Sequence, residues 1–269
     1  MLVPRIEPQN RQWSSAAYEV DAGIGSRAHI GMVVFDCDQT LSHEARAMLA
    51  IAGVALYESR ISSHDDSNQP LTSGALADDF VGLDEAVRQI NATRPSNVVA
   101  LGCTSAAMVI GPDELERRVR SVHPQAHVTD PFTAILAALR VLNSVRVGFV
   151  SPYPAEIAED MVNRIETAGI WVPTVSTFHN QGGFVRGDAP FISPASIAAA
   201  VHRIVEREDI DTVVIACTQM RAAATIDELE RQTGKAVISS NQALCWHALR
   251  LAKVSDVVLG WGRLFEADL

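Results

Sequence analysis

Two α/β lobes related by a pseudo-twofold axis are what this sequence predicts, each a four-stranded parallel sheet flanked by helices. Three observations carry that prediction. Apolar runs of strand length alternate with segments of helical spacing four times in each half of the 269 residues. The runs are continuous rather than alternating, as in Ile30-Gly31-Met32-Val33-Val34-Phe35, the pattern of strands buried on both faces. The third is a repeat. Val98-Val99-Ala100-Leu101-Gly102-Cys103-Thr104-Ser105 is followed by Asp113-Glu114-Leu115-Glu116-Arg117, and Val213-Val214-Ile215-Ala216-Cys217-Thr218-Gln219 by Asp227-Glu228-Leu229-Glu230-Arg231. Both landmarks recur 114 residues apart, so a whole lobe is duplicated rather than a short solenoid unit.

Residues 1–28 hold Pro4, Arg5, Pro8 and Arg11 with no apolar signal-peptide core, so they read as an N-terminal arm and the chain as cytoplasmic. The first lobe spans 29–142. Its opening strand, 30–35, ends in the turn Asp36-Cys37-Asp38-Gln39-Thr40. A helix over 42–51 stops before Gly53, and 54–61 is the second strand. Residues 62–73 are rich in Ser, Asp and Asn and read as a flap over a site. Apolar positions 76, 80, 83, 87 and 90 predict a helix over 76–92. The Cys103 strand comes next, with a helix over 109–122, a short strand at 127–129, and a helix that Pro131 opens.

The second lobe, 143–253, repeats the order. Val145 to Val150 echoes the first strand, with Gly148 matching Gly31, and Ser151-Pro152-Tyr153-Pro154 is its turn. A helix over 155–168, a strand over 171–178 and a glycine-bearing loop at 179–183 follow. Ser193-Pro194 is a helix start, with Ser as N-cap and Pro in the first position. After the Cys217 strand come a helix around Asp227, a strand at 236–239 and a helix over 241–253. The tail, 254–269, is expected to pack back on the first lobe.

Bulk properties exclude several functions. A net charge of −10 gives no basic footprint for nucleic acid, and no apolar run approaches the ~20 residues that span a bilayer. Four cysteines, at 37, 103, 217 and 245, are too scattered for a disulfide framework, and no spacing suggests zinc. Cys37 reads as a bystander near the cleft and Cys245 as core. His43, His64, His179 and His247 read as surface or satisfied polar residues. No metal and no cofactor are expected, and a homo-oligomer is open.

The chemistry is expected at the carboxyl ends of the strands, in the cleft between the lobes, where Cys103, Cys217, Asp38 and Tyr153 fall. A thiol at a helix N-terminus gains acidity, toward a usable thiolate near neutral pH. The same turns, with the hydroxyls of Thr104, Ser105 and Thr218, can bind a carboxylate. Two thiols facing one carbon can invert it, one removing a proton and the other returning it from behind. Alternatively one thiolate adds to a double bond, the adduct rotates, and the thiol leaves. A third outcome is decarboxylation, and the competing class is a non-catalytic small-molecule binder.

The two Cys-Thr turns, Ser239-Ser240-Asn241-Gln242-Ala243 and Gly260-Trp261-Gly262-Arg263-Leu264-Phe265 resemble the aspartate/glutamate racemase superfamily, in the branch of maleate cis–trans isomerases and arylmalonate decarboxylases. Within it, Cys103-Thr104-Ser105-Ala106-Ala107-Met108-Val109-Ile110-Gly111 looks most like the racemase-like proteins of ectoine utilisation. The resemblance, from about residue 30 to 265, implies catalytic cysteines at Cys103 and Cys217, a carboxylate-binding tyrosine at Tyr153, and anion-binding turns at Thr104, Ser105 and Thr218. The decarboxylases carry glycine at the first cysteine position, so Cys103 points to isomerase or racemase chemistry. Phe35-Asp36-Cys37-Asp38 replaces a Pro-Ser-Ser-Asn type turn. An ionised Asp38 repels a dianionic substrate by about 1–4 kcal/mol and suits an ammonium group, unless it merely caps the next helix. The expected function is racemisation of an amino-acid-like substrate, with maleate-type isomerisation as the alternative.

Overall fold

A computed structural model of the chain describes residues 12–63, 80–90, 93–178 and 186–269. The first lobe contains β1 (Ala28–Phe35), α1 (Leu41–Met48), β2 (Val54–Ile61), α2 (Leu83–Gln89), β3 (Val98–Gly102), α3 (Thr104–Ile110), α4 (Pro112–Arg120), β4 (His127–Thr129) and α5 (Pro131–Val141). The second contains β5 (Arg146–Ser151), α6 (Ala155–Thr167), β6 (Trp171–Thr177), α7 (Pro194–Arg207), β7 (Thr212–Ile215), α8 (Ile226–Thr233), β8 (Ala236–Ser239) and α9 (Ser240–Leu251).

Both sheets are parallel, and their strand orders match: β2-β1-β3-β4 and β6-β5-β7-β8. The duplication read from the cysteine register is therefore a duplication of topology. The paired glycines share one reason. A Cβ on Gly31 would lie 2.5 Å from Ile90 Cγ2, and one on Gly148 would lie 2.5 Å from Ile204 Cγ2. In each lobe an isoleucine side chain packs directly on the central strand, and only glycine leaves the room.

Several boundaries differ from the expectation. The helix predicted over 109–122 begins at Thr104 and is broken at Gly111, whose φ is 76°, before Pro112 opens α4. Gly-Pro is a strong stop-and-restart signal, because glycine takes the left-handed end and proline the first helical position. No regular helix follows Cys217 directly. Met220 N–H closes a turn on the Cys217 carbonyl, a 3-10 turn covers Ala223–Thr225, and α8 starts at Ile226. Of the helix expected over 76–92, Leu83–Gln89 is helical, while 76–79 and 91–92 lie outside the described residues.

The last helix is placed by tertiary contacts. α9 follows β8 in the chain but packs along α5 and also against α1, β3 and β4 of the first lobe. Ser240 through Arg250 are all buried there, so α9 and α5 form the joint between the lobes. The tail closes around α9. Trp246 Nε1 and Arg250 Nε both donate to the Ala267 carbonyl at 2.9 Å, and Arg27 pairs with Asp256. No helix among the described residues is long and apolar enough to cross a membrane.

Candidate active site

The strand order puts a topological switch point between β1 and β3, and another between β5 and β7. Ligands in open α/β sheets bind at the carboxyl ends of such strand pairs. Asp38 follows β1, Cys103 follows β3, Tyr153 follows β5 and Cys217 follows β7. Each lobe thus contributes its two central strand ends to one site.

The first turn is pinned by Arg60, whose guanidinium donates to the carbonyls of Phe35 and Asp38 at 2.9 Å each. Asp38 is 2% exposed. Its Oδ1 accepts from the backbone N–H groups of Thr40 and Leu41, both at 2.8 Å, and so caps the start of α1. Its Oδ2 is buried with no hydrogen-bond partner. The carboxylate lies near enough to Cys217 to oppose ionisation of that thiol.

Cys103 is set by Gly102, where a Cβ would lie 2.3 Å from Leu41 Cδ2. The cysteine is the N-cap residue of α3, with φ −154° and its carbonyl accepting from Ala107 N–H at 3.1 Å. Its sulfur is 3.7 Å from Ser105 Oγ. Cys217 has φ 154°, a backbone value that costs non-glycine residues about 1–3 kcal/mol and persists only where the surroundings impose it. Those surroundings are visible. Ala216 N–H donates to the Val150 carbonyl at 2.8 Å and Cys217 N–H to Ser240 Oγ at 3.0 Å. Ser240 Oγ also lies 2.9 Å from Thr104 Oγ1, so one hydroxyl ties the two Cys-Thr turns together.

The electrostatics depart from expectation. A helix N-terminus predicts an acidic thiol, but burial outweighs it here. Burial pushes Cys103 up to about 12, against N–H from Ala106 and the Ser105 hydroxyl. Cys217 rises to about 11 for the same reason, against the Tyr153 hydroxyl and the N–H groups of Gln219 and Met220. Cys217 and Cys37 each raise Cys103 further, and it is the Ser240 hydroxyl, shared by the two Cys-Thr turns, that joins the strand ends carrying Cys103 and Cys217. Tyr153 is 3% exposed and pushed well above 10 by burial and by both cysteines, so its hydroxyl stays a neutral donor. It reaches Cys217 and Ser105, one from each lobe. Thr218 is buried beside Cys217, and its carbonyl accepts from Asn241 Nδ2 at 2.8 Å.

The remaining candidates are either exposed or held in the core. Cys37 is exposed and accepts from Gln219 Nε2 at 3.7 Å; Cys245 is fully buried inside α9. His247 is held by Thr129 Oγ1 at 2.7 Å, and His43 is exposed. His64, His179, the loop at 179–183 and all but the first two residues of the expected flap lie outside the described residues. Among the described residues no three His, Cys, Asp or Glu side chains are grouped to hold a metal. Sequence reading missed Glu44, Ser240 and Asn241 as parts of the site's frame. The Ser239-x-x-Gln242 capping box was a legible signal that a helix starts there, but not that its first residues brace both cysteines.

Comparison with known proteins agrees with this fold. A family model described as arylmalonate decarboxylase matches residues 74–265. The maleate isomerase of Nocardia farcinica is 28% identical over 254 residues, covering 89% of this chain and 96% of that protein. The arylmalonate decarboxylase of Bordetella bronchiseptica is 29% identical over 135 residues, 50% of this chain and 55% of that protein. A crystal structure of the Nocardia farcinica maleate cis–trans isomerase, a cysteine-to-serine mutant with a covalently bound succinylcysteine intermediate, superposes with a TM-score of 0.76 at 25% identity, covering 89% of this chain and 98% of that one.

Proposed function

Because this chain belongs to the arylmalonate decarboxylase family, we propose that it is a cofactor-independent isomerase of a small carboxylic acid, working through Cys103 and Cys217. The observation that supports the reading is the Ser240 hydroxyl that joins the two Cys-Thr turns, one from each lobe, with the neutral Tyr153 hydroxyl beside Cys217 and Ser105 as a carboxylate donor. Maleate-type cis–trans isomerisation is the form that the relatives favour. One thiolate adds to an alkene carbon, and the displaced electron pair takes a proton from the other thiol at the neighbouring carbon. Rotation about the former double bond, now a carbon–carbon single bond, follows. The second sulfur then takes a proton back as the C–S bond breaks, so no proton or electron is consumed. On this reading Thr104, Ser105 and Thr218 are the hydroxyls offered to the substrate carboxylates, and the raised thiols make the thiolate a minority form at neutral pH.

A second reading, racemisation of an amino-acid-like substrate, is favoured by Asp38 Oδ2, a buried carboxylate oxygen without a partner beside Cys217. An ammonium group would satisfy it. Here one thiolate removes the α-proton and the other thiol delivers one to the opposite face.

Incubation with maleate, followed by fumarate formation, and with amino acids in deuterated water, followed by α-deuterium, separates the two. Cys103→Ala and Cys217→Ala are each expected to abolish net turnover. Exchange surviving in one mutant while inversion stops identifies racemisation, and a mass adduct on one cysteine peptide identifies the addition route. Full activity in either mutant would overturn the proposal, and binding without exchange or turnover would leave a binding protein.

A further inference from the structure

The turn that carries Cys217 is gripped from the first lobe, and the grip centres on a buried acid outside the reacting groups. Glu44, on α1, is 8% exposed. Its Oε1 accepts from the backbone N–H of Ala223 at 3.2 Å, and its Oε2 from Asn241 Nδ2 at 2.7 Å. The same Asn241 amide donates to the Thr218 carbonyl at 2.8 Å. Four residues earlier on the chain, Thr40 Oγ1 donates to the Gln219 carbonyl at 2.8 Å. The segment from Thr218 to Ala223 is therefore held at three backbone points, by Thr40 just before α1, by Glu44 on α1 and by the first turn of α9. Inside that segment, the N–H groups of Gln219 and Met220 lie beside the Cys217 sulfur and favour its thiolate, and the Met220 N–H also closes the turn on the Cys217 carbonyl at 3.2 Å.

We propose that Glu44 is a positioning residue: as a carboxylate it accepts the Asn241 amide and the Ala223 N–H, and so holds the Thr218–Ala223 turn with its Gln219 and Met220 N–H groups beside the Cys217 sulfur. The role requires an acceptor at both oxygens, because both groups facing them are donors. An ionised carboxylate supplies this, whereas a protonated acid or an amide presents a hydrogen to one donor and loses that bond. The charged groups facing Glu44 come from every side of the joint. Asp38, in the turn before α1, opposes its ionisation; Arg221, beyond Cys217, favours it. The Cys245 thiol on α9 feels its charge, and Arg221 is also held by the Ile192 carbonyl at 3.3 Å. Burial is the largest influence and lifts Glu44 to about 7, so the brace is half formed near neutral pH.

This inference rests on the cysteine-isomerase reading for its consequence in turnover, but its test needs no substrate. Wild type, Glu44→Gln and Asn241→Ala are alkylated with iodoacetamide from pH 6 to 10, and labelling at Cys217 and Cys103 is followed separately by peptide mass mapping. Glu44→Gln is expected to slow Cys217 labelling about tenfold at pH 8 and to move its profile about one pH unit upward. Cys103 labelling is expected to stay within twofold, with the melting temperature at pH 8 unchanged or higher. Asn241→Ala is expected to slow Cys217 in the same direction. Superimposable Cys217 profiles in wild type and Glu44→Gln would overturn the proposal. So would equal slowing at both cysteines with a lowered melting temperature, which is the signature of general damage. Absence of any substrate turnover would count against the isomerase reading alone.

Discussion

At Asp38 the two carboxylate oxygens do different things, and a single substitution separates them. Oδ1 caps α1 through two N–H groups, while Oδ2 is buried without a partner. Asparagine keeps the cap and loses the charge, so Asp38→Asn is expected to leave the melting temperature unchanged. On the amino-substrate reading it lowers affinity for an ammonium-bearing carboxylic acid about 10- to 100-fold and raises affinity for maleate. Calorimetry with both ligands checks this, and tight maleate binding by the wild type would exclude the ammonium role. The thiols make a pH prediction of equal directness. With Cys103 raised to about 12 and Cys217 to about 11, the thiolate fraction climbs about tenfold per pH unit between 8 and 10, and alkylation of both should climb with it.

At the scale of elements, the start of α9 is the part whose loss reaches furthest. Ser240 accepts the Cys217 N–H and meets the Thr104 hydroxyl, and both would be left unsatisfied in a buried place by Ser240→Ala. The expected cost is about 1–3 kcal/mol, which for a chain of this size lowers the melting temperature by about 5 °C. Turnover is expected to fall with it, since the strained Cys217 backbone loses one of the contacts that impose it. A melting curve identical to wild type would show that the hydroxyl bears no load. β3 makes a complementary demand. A side chain at Gly102 collides with Leu41, so the first thiol reaches the site only because its neighbour has none.

For the molecule as a whole, two buried groups act on stability with opposite sign. Glu44 rises from 4.5 to about 7 on folding, so the folded chain binds the extra proton, and this contribution is present below pH 4.5 and lost as pH rises through 7. His247 falls from 6.5 to about 4 by burial, so the unfolded chain binds the extra proton, and its contribution is present above pH 6.5 and lost as pH falls through 4. Each amounts to up to about 3 kcal/mol, and over pH 4.5–6.5 they offset one another. Glu44→Gln removes only the first. Denaturant titrations at pH 5 and pH 8 should therefore show a larger loss on acidification in Glu44→Gln than in wild type. Equal losses would mean that Glu44 is ionised throughout.

Sequence alone determined the class and the duplication, because strand and helix periodicity are local and the 114-residue register survives in one dimension. It also placed Cys103, Cys217, Asp38 and Tyr153 at strand ends, since an apolar run followed by a polar turn is itself the signal. What only the tertiary structure decided depends on distant atoms. Desolvation around the thiols outweighs the helix end beside Cys103, although Cys103 itself is only half-buried, and no local pattern reports that desolvation. α9 leaves its own sheet to pack on α5, because the joint between lobes is the place where a helix can be covered all round. Glu44 and Asn241 lie 197 positions apart and meet only there, which is why an ordinary-looking glutamate on α1 ends up bracing a turn of the opposite lobe.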